Sequence, residues 1–180
     1  MTLHFITGNA GKLKELQTII PEVKGIDIDL PEIQHSDAKI IIEAKLQEAL
    51  KHHKGPFIIE DTSLYLDALN GLPGPLIKWF LKAMGVKGFY KIANSLGNAN
   101  AQAKTIIGYA SANGDMHYFE GVIEGSIVEP KGTNGFGWDA IFKPNGQQHT
   151  FAEMTNKEKN EHSMRKIAAQ KLQTFLQANL

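Results

Sequence analysis

The period of the apolar positions changes several times along this chain, and each change marks an expected element. Leu3 to Thr7 is an apolar run of strand length, and Gly8 to Lys12 leads into a helix with Leu13, Leu16, Ile19 and Ile20 on one face, stopped at Pro21. Val23 to Leu30 alternates apolar with polar residues, the period of a half-exposed strand. Ser36 or Asp37 then caps a helix running to about His53, with Ile41, Ala44, Leu46, Ala49 and Leu50 as its apolar positions. Phe57, Ile58 and Ile59 suit a buried strand that ends at Glu60 and Asp61. After the alternating Leu64 to Asp67, two glycines and two prolines between Gly71 and Pro75 predict a rigid turn before a helix start at Ile77-Lys78-Trp79-Phe80. Lys87 to Leu96 reads as a short helix closed by Gly97. Lys104 to Ala112 and Met116 to Val128 are strand patterns joined at Asn113-Gly114, the strongest hairpin signal in the chain. Near Ser163 the last helix begins, with Met164, Ile167, Ala168, Leu172, Phe175 and Leu176 at helical spacing. Early strand–helix alternation followed by a late hairpin predicts an α/β fold, with a mixed β-sheet, flanking helices and two lobes around a central cleft. No linker divides residues 1–180, so a single domain is expected.

Composition narrows the function. The 180 residues carry 19 Lys plus Arg against 19 Asp plus Glu, so no basic excess favours a nucleic acid polymer or an anionic membrane. The absence of cysteine removes disulfides, thiol catalysis and thiolate-bound metal. No signal-peptide pattern opens the chain and no apolar run approaches a membrane span, so a soluble cytoplasmic protein is expected. The histidines show no metal-ligand spacing, which argues against zinc. Arg165 is the only arginine, hence the one candidate for planar bidentate recognition. It lies in the first turn of the last helix, where the dipole disfavours a cation, which points to a task elsewhere.

Three stretches carry candidate chemistry, each with a bland reading beside it, and two single residues join them. Glu60 and Asp61, followed by the hydroxyls of Thr62 and Ser63, are either a solvated acidic pair or a metal or acid/base site; alternation lets only one of the two carboxylates face a given cleft. Thr7-Gly8-Asn9-Ala10-Gly11-Lys12 is a strand-to-helix turn of the kind that aims backbone N–H groups at an anion, although such turns are common. It is not a P-loop: Ile6 stands where that pattern needs glycine, and Leu13 where it needs serine or threonine. Gly135-Phe136-Gly137-Trp138-Asp139 combines glycines with aromatic faces, a turn with core aromatics or a stacking wall for a planar base. Glu32 reads as a loop carboxylate and Lys45 as a solvated helix lysine.

Together with Glu158-Lys159-Asn160 and Ser163-Met164-Arg165, these stretches resemble, in order and over essentially the whole chain, the inosine triphosphate pyrophosphatase family, the HAM1-like non-standard purine NTP pyrophosphatases. The resemblance implies Mg2+-dependent hydrolysis of ITP, dITP and XTP to the monophosphate and pyrophosphate, by a homodimer. It assigns Thr7, Asn9, Lys12, Lys45, Thr62 and Lys78 to the substrate, and Phe136, Gly137, Trp138, Asp139, Lys159, Met164 and Arg165 to the substrate as well, largely at its base. Glu32, Asp61 and Glu60 are assigned to the metal, with Asp61 positioning and deprotonating the attacking water. Two positions depart from the pattern: Met164 stands where the family's Ser-His-Arg has histidine, and Ala140 where it usually has proline. Two rivals remain: a Maf-like nucleotide pyrophosphatase with another base preference, and a nucleotide-binding regulator without turnover.

Overall fold

The computed structural model describes residues 2–179. Strand β1 (His4–Ile6) leads through a tight turn into helix α1 (Ala10–Gln17), followed by β2 (Lys24–Ile26), α2 (Ala38–His52) and the long β3 (Phe57–Leu66). A two-residue strand β4 (Pro73–Gly74) folds back on β3, and α3 (Ile77–Ser95) follows. The chain continues through β5 (Asn100–Ala110), β6 (Met116–Ile127), β7 (Phe142–Pro144), α4 (Asn156–His162) and α5 (Met164–Asn179). The strands form one sheet in the order β2-β1-β3-β5-β6-β7, with β4 paired to β3 alone. It is mixed, as expected: β1 runs parallel to β2 and β3, whereas β4 is antiparallel to β3 and β7 to β6.

The chain forms two compact units. Unit 1 comprises Met1–Asp61, Thr105–Gly121 and Arg165–Leu180, and unit 2 comprises Thr62–Lys104 and Val122–Met164. Alternation along β3 organises the core of unit 1. Ile58 packs with Phe5, Leu16, Ile20, Ile107 and Leu172, so α1 and α5 lie on its side. Phe57 and Ile59 pack with Ile42, Leu46 and Ile106, on the side of α2. Both faces of the strand are therefore covered, which is why Phe57-Ile58-Ile59 is continuously apolar instead of alternating. By the same alternation Glu60 follows Ile58 onto the side of α1 and α5, and Asp61 follows Ile59 onto the other. Unit 2 has its own core, built on Leu64, Leu66, Phe89, Trp138, Phe142 and Phe151.

Several expected boundaries move. The strand carrying the carboxylates does not end at Asp61; it runs on to Leu66, so Glu60 and Asp61 are mid-strand and both buried. Hydroxyl, aliphatic and aromatic residues after Asp61 keep strand propensity, and β4 supplies a partner at Leu64 and Tyr65. The expected strand over Val23 to Leu30 is only three residues, because its partner β1 ends at Ile6 where the chain turns into α1. The helix starts expected at Ile77 and Lys87 are one element, α3, broken at Gly85, whose φ of 67° and ψ of 176° interrupt the helix without a Cβ penalty. Helix α4 has no apolar period, so the sequence reading places no helix there. Its signature is a capping box: the Thr155 side chain accepts from the Glu158 N–H while Glu158 accepts from the Thr155 N–H.

Candidate active site

At the turn between β1 and α1, side chains and backbone shape one another. The Asn9 N–H donates to Thr7 Oγ1 at 3.1 Å, and Asn9 caps α1 by accepting from the Lys12 N–H at 3.1 Å. Thr7 and Asn9 thereby fix the direction of the first helical N–H groups, which favour an anion. Lys12, in the same first turn, extends its Nζ to within 3.1 Å of Glu60 Oε1.

Glu60 is the centre of a buried set of charges. Its Oε2 accepts from Arg165 Nε at 2.6 Å and its Oε1 from Nη2 at 2.8 Å, the bidentate fork that only a guanidinium makes. The third nitrogen, Nη1, donates to Glu15 on α1. The side chains of Glu60 and Arg165 are each 1% exposed, and Lys12 is 21% exposed. Burial alone would lower the pKa of Arg165; the charges and hydrogen bonds of Glu60 and Glu15 outweigh it and hold the group well above its ordinary value, so it is always a cation. Two carboxylates thus face two cations, one inside the core and one at its edge.

Asp61, one residue on, is buried on the opposite side of β3. In the segment before α2, Glu32 Oε1 lies 3.0 Å from Lys45 Nζ, and the Glu32 side chain is 37% exposed. Glu32, Asp61 and Glu60 are hard oxygen donors of the kind a small divalent cation takes. Such an ion keeps several waters and needs one or two protein carboxylates, so a closed cage is not required. Among the described residues no group of three or more His, Asp or Glu is gathered for an ion. Both oxygens of Glu60 are engaged by cations, whereas the Glu32 side chain, with one oxygen at Lys45, reaches solvent.

In unit 2 the glycine-rich loop is wound around Asp139. Asp139 Oδ2 accepts from the Phe136 N–H at 2.8 Å and from Lys159 Nζ at 2.7 Å. Gly135 has φ 78°, and a Cβ there would sit 2.1 Å from Asp139 Oδ2, so only glycine permits this closure. Lys159 Nζ also lies 4.5 Å from the centroid of the Phe136 ring, and 5.5 Å from that of Phe151. Phe136 is half-buried, and Gly137 beside it is exposed. Trp138 is a core residue, packed edge-on to Phe142 at 5.4 Å, and Met164 is buried in the same core. Thr62 is half-buried on β3, and Lys78 is exposed on α3 with its Nζ 5.7 Å from the Trp79 ring centroid.

The expected residues therefore separate into groups. Thr7, Asn9, Lys12, Glu60 and Arg165 are brought together, as are Phe136, Gly137, Asp139 and Lys159, and as are Glu32 and Lys45. Arg165, expected at the base, spends its fork on Glu60 and Glu15. Trp138 and Met164 pack inward. Glu15 was missed. Its signal was indirect: a single arginine has donors for more than one carboxylate, and Glu15 sits on the α1 segment directly beside the apolar Leu16.

The Ham1 family model matches residues 3–175. The inosine triphosphate pyrophosphatase of Schizosaccharomyces pombe is 46% identical, covering 97% of this chain and 94% of that protein. The chain belongs to the Ham1 family. The Saccharomyces cerevisiae inosine triphosphate pyrophosphatase is 41% identical over 97% of this chain and 95% of its own length. Among solved structures, the Ham1 protein of Staphylococcus aureus superposes with a TM-score of 0.80 at 26% identity, covering 99% of both chains. The HAM1 protein of Coxiella burnetii gives 0.80 at 28% identity and 98% of both. The Mycobacterium abscessus nucleoside-triphosphatase, or dITP/XTP pyrophosphatase, gives 0.70 at 27% identity, covering 94% of this chain and 98% of that one. The Ham1 fold thus extends over both units.

Proposed function

We propose that this chain hydrolyses non-standard purine nucleoside triphosphates, ITP, dITP and XTP, to the monophosphate and pyrophosphate, with Mg2+ as cofactor. The observation that carries the reading is the pairing of Lys12 with Glu60 at the start of α1, with Asp61 the next residue along the strand. That arrangement puts a helix N-terminus, a mobile cation and a carboxylate base on adjoining elements of one unit. The relatives named inosine triphosphate pyrophosphatase support the substrate class.

In this reading the N–H groups of the first turn of α1 and Lys12 receive the phosphates, with Lys45 as a further cation and Thr7 and Asn9 holding the turn in shape. Asp61 orients a water toward the α-phosphorus and takes its proton as the new P–O bond forms. The bond from the α-phosphorus to its bridging oxygen breaks, and pyrophosphate leaves. Glu32 and Asp61 would hold Mg2+, which when bound neutralises the phosphate charge and favours the leaving group. Phe136 would stack against the purine, and Asp139 with Lys159 sets the polarity beside it. Reading the six-position oxygen falls to that pair and to loop N–H groups, because Arg165 is committed elsewhere.

The oligomer proposed is a homodimer, for which the 44% exposed Trp79 and the exposed Leu72 beside α3 offer an apolar face. Sedimentation would report it. The proposed compartment is the cytoplasm, and no helix among the described residues is long and apolar enough to cross a membrane. The deciding experiment is a panel of ribo- and deoxynucleoside triphosphates assayed with Mg2+ for both products. ITP and XTP are expected at least about tenfold above ATP and GTP in kcat/KM. Pyrimidine preference would favour a Maf-like activity, and binding without pyrophosphate release a silent regulator.

A further inference from the structure

We infer that Glu60 is a positioning residue for Lys12: it aims the lysine at the triphosphate and does not bind the metal. The inference rests on the proposed activity for its substrate and on geometry for its substance. Glu60 Oε1 is shared between Arg165 Nη2 at 2.8 Å and Lys12 Nζ at 3.1 Å, and Oε2 is taken by Arg165 Nε at 2.6 Å. A divalent ion on either oxygen would compete with the guanidinium that shares both of them and would set its charge beside that buried cation. Lys12 differs from Arg165 in that it lies at the edge, 21% exposed, on a flexible four-carbon stem.

When a phosphate oxygen takes Lys12, Glu60 keeps the Arg165 fork, and no buried carboxylate is stranded. The lysine end of the pair is open to water and can be handed to another anion, whereas a lysine with no anchor loses stem freedom each time it binds. Orientation therefore outweighs the neutralisation of Lys12 by Glu60, and removing the carboxylate weakens phosphate binding. Glu15 completes the device by holding Nη1, so that the fork does not swing when Lys12 departs.

The test compares wild type, Glu60→Gln, Lys12→Met and the double variant in two assays. The first is calorimetric binding of inorganic tripolyphosphate in EDTA, which needs neither metal nor turnover. The second is ITP hydrolysis as a function of Mg2+. Glu60→Gln is expected to weaken tripolyphosphate binding and to raise KM for ITP by about fivefold to tenfold, with kcat changed much less. Its Mg2+ half-saturation is expected to stay at the wild-type value. In the Lys12→Met background the Glu60 substitution should add nothing, because its effect passes through the lysine. Should Glu60→Gln not fold, Glu60→Asp keeps the charge but shortens the reach, and the same outcomes apply. A raised Mg2+ half-saturation would make Glu60 a metal ligand and overturn the inference. Additive losses in the double variant, or a lower Tm with unchanged tripolyphosphate binding, would overturn it as well. If wild type binds tripolyphosphate but does not hydrolyse ITP, the proposed activity fails while the positioning role is still judged by the first assay.

Discussion

The buried charges of unit 1 and those of unit 2 are held in opposite ways. In unit 1, Arg165 on α5 reaches Glu60 on β3, 105 residues away in sequence, and Glu15 on α1, 150 residues away. All three sit on core elements, and a planar fork with fixed directions joins them. In unit 2, Asp139 and Lys159 are only 20 residues apart, on a glycine-rich loop and a seven-residue helix. There the cation is a point charge resting over two rings, and the carboxylate has a backbone N–H in reserve. Loss of Arg165 in unit 1 takes the shared cation from two buried carboxylates; loss of Lys159 in unit 2 takes it from one, which keeps a backbone donor. In the proposed function the charge set beside Lys12 would serve the triphosphate, whose charge is the same for every base. The pair beside Phe136 is set by a short loop, and in the proposed function it would serve the base.

The largest effect expected from breaking this division is chemical. Asp61→Asn should lower kcat by about two to four orders of magnitude, since an amide cannot take the water's proton, with far-UV circular dichroism unchanged. If turnover survived, the base would have to be sought elsewhere. Next comes Arg165→Ala, which leaves Glu60 and Glu15 buried without their shared cation and should cost about 3–5 kcal/mol in stability by urea unfolding. Because Arg165 faces carboxylates, its loss should reduce kcat/KM for ITP and ATP by the same factor. A loss confined to ITP would return it to the base.

Lys159→Met is the matching cut in unit 2 and should cost less, about 1–3 kcal/mol, because Asp139 retains the Phe136 N–H. Here the ratio of ITP to ATP activity should fall, in contrast to Arg165→Ala. An unchanged ratio would show that Lys159 only shapes the loop. The smallest effect concerns a pair away from both charge sets. His4 Nδ1 and His53 Nε2 are buried without hydrogen-bond partners, with the rings 4.9 Å apart. Burial and the neighbouring charge of His4 depress the pKa of His53 below its ordinary 6.5. The unfolded chain therefore binds this proton more readily, so its contribution is complete above pH 6.5 and is lost as pH falls below that value. Tm should be lower at pH 5.5 than at pH 7.5 by about 1–4 °C, and His53→Leu should flatten that dependence.

Much of the fold was legible in the residues because periodicity and turn chemistry act locally. The 3.6 period of α2 with its Asp37 cap, the Asn113-Gly114 hairpin and the glycines around Phe136 all report on neighbours within a few residues, and each is where it was expected. Helix α4 escaped because a short, capped, polar helix has no apolar period. The end of β3 was misplaced because a pair of carboxylates reads as a strand end, while the β4 partner that extends the strand lies beyond the turn at Gly71.

By itself the sequence determined the mixed α/β architecture, the family and the residue types of the candidate site, since these depend on local pattern and on motifs kept in order. Only the tertiary structure decided which charges meet. Arg165, Glu60 and Glu15 meet across more than a hundred residues, and the energy of a buried ion depends on partners that no local spacing reveals. For the same reason Trp138 and Met164 became core residues: whether a side chain points into a unit or out of it is settled by the packing of elements, not by the motif that contains it.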